Sequence, residues 1–237
     1  MNGFFITGTD TGVGKTALSA LLLAELRRRG INAAPMKPVQ TGVRDQESGD
    51  LDYSLSMAGM TIQEEIRSLM SPYRFEPACS PHLAAELTGT EIKVSAIVNA
   101  AQKLASEYDR LIIEGAGGVL VPLNRYETML DLMKALSLPV ILAARPGLGT
   151  INHTLLSIRA LKAAGLDIAG IVFIASEEGE PGLIEEDNAV TIEQLEAVPV
   201  LGTIPFCPQL RKASPVYSSL PVPVVAEVEK IVNKLLL

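Results

Sequence analysis

Tryptophan is absent, and five tyrosines and five phenylalanines bring the aromatic share to only 4% of 237 residues. So few flat rings argue against a surface that stacks exposed bases. Cysteine is as scarce. Cys79 and Cys207 are the whole complement, which excludes a disulfide scaffold and leaves both thiols as small buried hydrophobes or incidental groups. His82 and His153 are the only histidines. With no neighbouring cysteine and no short-range histidine partner, a zinc site is not expected, and both read as structural or substrate-proximal. Positive charge is in deficit: 20 Lys and Arg stand against 27 Asp and Glu, a net charge of −7. A polyanion such as nucleic acid needs a basic surface, so it is not an expected partner, whereas a small anion needs only a local cluster of donors. No apolar run reaches the ~18 residues of a membrane span. The opening MNGFFITG has neither a basic n-region nor a signal-like apolar core, so the expected address is cytoplasmic, with no membrane partner.

What is present is a globular composition, 48% apolar and 20% charged, long enough for a real core and expected to form one domain over 1–237. Short apolar runs alternate with helical patterns: Phe4–Thr7, Ala33–Val39, Leu111–Glu114, Val140–Ala144, Ile168–Ile174 and Val200–Ile204. Several are apolar throughout, as strands buried on both faces of a parallel sheet are. Helical patterns are expected over about Thr16–Arg29, Leu51–Met60, Glu91–Tyr108, Glu127–Leu136, Ile151–Ala164, Ala189–Ala197 and Pro223–Leu236. The first places Leu18, Leu21, Leu22 and Leu26 on one face and closes at Gly30. The polar stretches Arg44–Asp52 and Ser176–Asp187 read as surface loops with helix starts. The alternation predicts an α/β fold with a mainly parallel sheet and right-handed crossovers.

Gly8-Thr9-Asp10-Thr11-Gly12-Val13-Gly14-Lys15-Thr16 follows the first strand and opens the first helix. In that context a glycine-rich turn aims backbone N–H groups at phosphate oxygens, and the helix N-terminus adds the positive end of its dipole. Lys15 would reach the β- and γ-phosphates, and the Thr16 hydroxyl would face Mg²⁺. The strict G-x-x-x-x-G-K-[ST] form needs glycine at position 9, where this chain has threonine. Thr11 could donate to a second anion or serve only the turn.

Lys37 interrupts an apolar run at the carboxyl end of the second strand, where open α/β sheets bind ligands. A charge there must be paired or meet a ligand, and Thr41-Gly42 offers hydroxyl and backbone donors nearby. Glu114 ends a third strand before Gly115-Ala116-Gly117-Gly118, a position suited to holding Mg²⁺ directly or through water. Asp50-Leu51-Asp52 offers a further ligand, with Asp52 expected to serve the metal and Asp50 to cap the helix.

Together these segments resemble the dethiobiotin synthetase family. The family's loop G-T-D-T-x-V-G-K-T matches Gly8–Thr16, its K-P-V-x-[ST]-G matches Lys37–Gly42, and its E-G-A-G-G matches Glu114–Gly118. Ser80-Pro81-His82, Gly149-Thr150-Ile151-Asn152-His153 and Gly202-Thr203-Ile204-Pro205 match further segments in the same order. The resemblance implies a three-layer α/β/α P-loop NTPase fold. It also implies an ATP- and Mg²⁺-dependent carboxylation and ring closure of 7,8-diaminopelargonic acid with CO₂. It assigns ATP binding to Gly12, Val13, Gly14, Lys15, Thr16, Ala17, Asp52, Glu114, Gly115, Ala116, Gly117, Pro205, Phe206 and Cys207. Thr16, Asp52 and Glu114 would hold the metal, and Lys37, Lys15 and Thr11 would be catalytic. Substrate would meet Thr11, Lys37 and Thr41, and its tail carboxylate the helix start Gly149, Thr150, Ile151 and Asn152 of the other subunit in a homodimer. The amide that reads adenine in family members is missing from Phe173-Ile174-Ala175-Ser176, so relaxed base selection is expected. The alternative is a regulatory P-loop ATPase that switches a partner assembly. Such ATPases usually carry a lysine early in the loop, about where Thr9 stands, and that class leaves Lys37-Pro38-Val39-Gln40-Thr41 unexplained.

Overall fold

The computed structural model describes residues 1–43, 49–179 and 182–237; residues 44–48 and 180–181, parts of the two expected surface loops, lie outside the described residues. Strands are β1 Gly3–Gly8, β2 Ala33–Met36, β3 Val39–Thr41, β4 Tyr73–Phe75, β5 Arg110–Glu114, β6 Val140–Ala144, β7 Ile168–Ile174 and β8 Val200–Ile204. Helices are α1 Lys15–Arg28, α2 Gly49–Met57, α3 Glu64–Met70, α4 Pro81–Leu87, α5 Val94–Glu107, α6 Met129–Leu136, α7 Thr150–Ala163, α8 Leu183–Glu196 and α9 Val222–Leu236.

Six strands form one sheet in the order β2-β5-β1-β6-β7-β8, and every pairing in it is parallel. The chain leaves β1 toward β2 on one side and later crosses to β6 on the other, so β1 lies at the switch of strand order. The crevice beyond its carboxyl end is where such a sheet binds ligands. Side-chain alternation then builds the layers. Phe4 and Ile6 pack with Leu18, Leu21 and Leu22 of α1 and Val228 and Ile231 of α9. Phe5, between them, points the other way into a core with Ile97 and Leu104 of α5 and Leu132 and Met133 of α6. Leu142, Ile171 and Phe173 extend that second face under Ile158 of α7 and Ile192 of α8.

The expected single strand Ala33–Val39 is two. Its first part ends at Met36, and Val39–Thr41 pairs instead with Tyr73–Phe75 in a separate two-stranded sheet. Pro38 has no N–H to donate to a ladder, and the Lys37 N–H donates to Met70 O at 2.8 Å rather than to β5. The break lifts Lys37 out of the sheet at its functional edge. Helix α8 begins at Leu183, six residues before the expected Ala189.

The strap after β8 is anchored from below. Glu25, with no exposed side-chain surface, accepts from Arg28 at 2.7 Å and Arg29 at 2.6 Å, and from Tyr217 Oη at 3.0 Å. Arg28 also meets Glu229, and Arg29 donates to Asn233 Oδ1, which joins α1 to α9. Burial alone would raise the Glu25 carboxyl, but these donors outweigh it and hold it below the ordinary 4.5. Removing a buried carboxylate strands its partners. Glu25→Ala is therefore expected to lower unfolding free energy in urea at pH 7 by about 2–3 kcal/mol. A carboxyl with a depressed folded pKa stabilises above its unfolded value and loses that contribution as pH falls. The gap between wild type and Glu25→Ala should thus be full above about pH 4.5 and shrink in titrations carried below it.

Candidate active site

The loop between β1 and α1 is shaped by two glycines in the left-handed region, Gly12 at φ 72° and Gly14 at φ 95°. A Cβ on Gly14 would lie 2.8 Å from Ile174 Cγ2, so both conformation and space require glycine there. Thr9 N–H donates to Ala143 O at 3.0 Å, which fixes the loop to β6. Asp10 stays exposed: its carboxylate accepts from Thr11 N–H at 2.6 Å, and its carbonyl accepts from Lys15 Nζ at 2.8 Å.

Lys37 Nζ is enclosed by Glu114 Oε1 at 2.7 Å, Asp50 Oδ2 at 2.7 Å and Gly115 O at 3.1 Å. Thr16 Oγ1 donates to the same Glu114 oxygen at 2.8 Å. Asp50 also interacts with Thr16. The first turns of α1 and α2, the end of β5 and the break after β2 therefore meet at one point. Two carboxylates and a hydroxyl form a hard-oxygen donor set that suits Mg²⁺. Among the described residues no group of three or more His, Cys, Asp or Glu is placed to hold a metal, so the hydroxyl and any phosphate oxygens would complete such a site.

Burial disfavours the Lys37 charge, but Glu114 and Asp50 outweigh it and hold its pKa above 10.5. Burial likewise opposes the Asp50 charge, yet Lys37 and Thr16 keep that carboxyl below 3.8. Glu114 is pushed above 4.5, first by burial and then by Asp50, with Lys37 opposing. Lys15 is lowered to about 8 by burial and by the nearby Lys37 charge.

These residues line one cavity of about 820 Å³ that also takes in Thr11, Gly12, Gly14, Ala17, Thr41, Ala116 and Gly117. Val13 is buried behind the loop, and Gly115 reaches the site through its carbonyl. Neither aspartate sits as expected. Asp50 faces Lys37, and Asp52 pairs with Arg67 of α3. Two residues apart on a helix is about 200° of rotation, so only one could face the cavity. Asp50 shares its face with Tyr53 and Ser54, and Tyr53 also lines the cavity. Asp50 lies inside the first turn of α2, not at its cap. Sequence reasoning passed over Tyr53, whose hydroxyl donates to Leu210 O at 2.7 Å, and the wall formed by Gln40, Cys79, Ser80, Pro81 and Leu210.

Pro205 lines a second cavity of about 470 Å³ with Arg145, Ala175, Ser176 and Thr203. Phe206 lies under the Arg211 guanidinium at 4.9 Å, and Cys207 is buried with its thiol 3.1 Å from Gln209 Oε1. Gly149, Thr150, Ile151 and Asn152 open α7 but do not line the Lys37 cavity of their own chain. Thr150 is buried against Thr154 at 3.2 Å.

A glycine-rich loop running from a central parallel strand into a helix, with lysine and threonine facing a strand-end carboxylate, defines a P-loop NTPase. An AAA-domain family model, AAA_26, matches residues 2–214. An ATP-dependent dethiobiotin synthetase of Halalkalibacterium halodurans is 41% identical over 89% of this chain and 87% of its own. That of Thermodesulfovibrio yellowstonii is 36% identical over 89% and 91%. The chain belongs to the ATP-dependent dethiobiotin synthetase family. Among solved structures, the MinC:MinD cell division complex of Aquifex aeolicus aligns at TM-score 0.65 and 13% identity over 100% of this chain and 96% of that one. The Pyrococcus furiosus cell division ATPase MinD aligns at 0.61 and 18% over 99% and 98%. At such identities the likeness shows the fold alone.

Two outcomes follow from this geometry. Asp50→Ala should weaken Mg-nucleotide binding by at least about tenfold, the scale at which groups around a metal site act, while Asp52→Ala should leave it nearly unchanged; fluorescent-nucleotide titration compares them. Phosphate binding beside Lys15 should raise a pKa that stands at about 8 in the free protein. Calorimetry in buffers of different ionisation enthalpy is expected to show proton uptake on nucleotide binding that grows from pH 7 to pH 9.

Proposed function

We propose that this chain is an ATP-dependent dethiobiotin synthetase, closing the ureido ring of dethiobiotin from 7,8-diaminopelargonic acid, CO₂ and Mg-ATP in biotin biosynthesis. The observation that carries the reading is Lys37, a second buried lysine facing the same cavity as Lys15. Regulatory ATPases usually carry their further lysine early in the loop, where this chain has Thr9, and a nucleotide switch has no need of one at the end of β2. Bringing a carbamate against a γ-phosphate means opposing the repulsion of two anions, which calls for a second cation.

One amine of the substrate takes up CO₂ and loses a proton, giving a carbamate. A carbamate oxygen attacks the γ-phosphorus and ADP leaves, giving a carbamic-phosphoric anhydride. The second amine attacks the carbamoyl carbon, phosphate leaves with the bonding pair, and the amine loses its proton as the ring closes. Lys15 and the N–H groups of Gly12, Val13 and Gly14 hold the phosphates, with Thr16 and Ala17 at the helix start. Lys37 and Thr11 orient the carbamate, and Thr41 contributes a hydroxyl beside it. Thr16, Glu114 and Asp50 would hold Mg²⁺, which would supply charge neutralisation on the transferring phosphoryl group. No protein nucleophile takes part.

The tail carboxylate of the substrate is met by Gly149–Asn152 of a second copy in a homodimer. A helix N-terminus suits a carboxylate, and Leu148 and Leu156 beside it are 97% and 59% exposed, the kind of apolar surface a partner covers. The base lies toward Pro205, Phe206 and Ser176, where Ile174 is committed to packing under Gly14, so base selection is relaxed. The enzyme works in the cytoplasm, and no helix among the described residues is long and apolar enough to cross a membrane.

Lys37→Ala separates this reading from that of a regulatory ATPase. The synthetase reading expects ring formation to fall by at least about a hundredfold, the effect of removing one preorganised charge, with nucleotide affinity changed only a few-fold. It also expects phosphate release to depend on diamine and bicarbonate. Release driven by a protein partner and indifferent to the diamine favours the switch.

A further inference from the structure

The Lys37 ammonium has no donor left for a ligand. Its three N–H directions are taken by Glu114 Oε1, Asp50 Oδ2 and Gly115 O, at 2.7, 2.7 and 3.1 Å. Only 5% of the residue is exposed. Two of those acceptors, with Thr16 on the same Glu114 oxygen, are the groups that would hold the divalent cation. Mg²⁺ needs oxygens at about 2.0–2.1 Å in near-octahedral geometry, and an ammonium cannot share both carboxylates with it at that range without strong like-charge repulsion. The two cations are therefore mutually exclusive at this point.

We infer that Lys37 is a resident cation in the metal position, and that arrival of metal with nucleotide displaces its ammonium from Glu114 and Asp50 and so frees it to meet the carbamate. This rests on the assignment of Thr16, Glu114 and Asp50 to the metal given above. The stem allows the movement: four methylenes on a flexible chain, next to a cavity of about 820 Å³ lined by Thr11 and Thr41. Two consequences follow. The free protein resists bare divalent metal, because metal must evict a paired ammonium from two carboxylates. Lys37 also becomes available to substrate only when the phosphoryl donor is in place, which orders the two halves of the site.

The test is metal binding without nucleotide, read by the electron paramagnetic resonance of free Mn²⁺ at pH 7.5. Lys37→Met leaves the two carboxylates without their resident charge and should bind Mn²⁺ at least tenfold more tightly than wild type. Adding Glu114→Gln to it should abolish the gain. Equal or weaker Mn²⁺ binding by folded Lys37→Met overturns the inference, as does a gain that survives Glu114→Gln. Should Lys37→Met be unfolded in metal-free buffer, Lys37→Gln, which keeps a donor toward Glu114, carries the same expectation. If both are unfolded, recovery of a cooperative thermal transition on adding Mn²⁺ supports exchange, and no recovery contradicts it. None of these readouts involves turnover, so their failure leaves the synthetase reading untouched.

Discussion

The Lys37 ammonium between Glu114 and Asp50 is the contact on which the rest of the site depends. It joins a break after β2, the end of β5 and the first turn of α2, three segments far apart in sequence. Thr16 brings in α1 through the same Glu114 oxygen. A buried charge without partners is prohibitively costly, so each member obliges the others to be present. The sheet supplies the rigid frame: β1 and β5 pair in register from Gly3 with Leu111 to Ile6 with Glu114. That register sets Glu114 beside the root of the phosphate loop.

The phosphate loop beside this cluster reconciles an acidic protein with anionic ligands. A net charge of −7 disfavours polyanions at a distance, but the field inside the cavity is set by the groups that face it. Lys15, the loop N–H groups and the α1 dipole point there, while Lys37 offsets part of the charge of Glu114 and Asp50, and a divalent cation would offset the rest. The anchoring of the strap by Tyr53 and by the Glu25 clasp matters for the same reason. It fixes the segment that brings Leu210 to one wall of the cavity.

Much of this was legible in the residues. Continuous apolar runs marked the six strands of the main sheet, because burial on both faces leaves no alternation to mislead. The loop declared itself through Gly12, Gly14, Lys15 and Thr16, whose chemistry admits few substitutes. What was not legible depended on tertiary pairing. The run Ala33–Val39 looks like one strand until Pro38 is weighed as a missing donor. The short β3, β4, α3 and α4 have too few residues to show a period. The choice between Asp50 and Asp52 required the rotation of α2, which Tyr53 and Ser54 on the face of Asp50 could have indicated. The Tyr53 contact with Leu210 spans 157 residues, and no local pattern announces it.

Incubation with 7,8-diaminopelargonic acid, ¹³C-bicarbonate and Mg-ATP, followed by mass spectrometry, shows whether this site closes the ureido ring. Dethiobiotin that carries the label in its ureido carbonyl should form in step with phosphate. Phosphate release from the folded protein with no labelled ring product would contradict it.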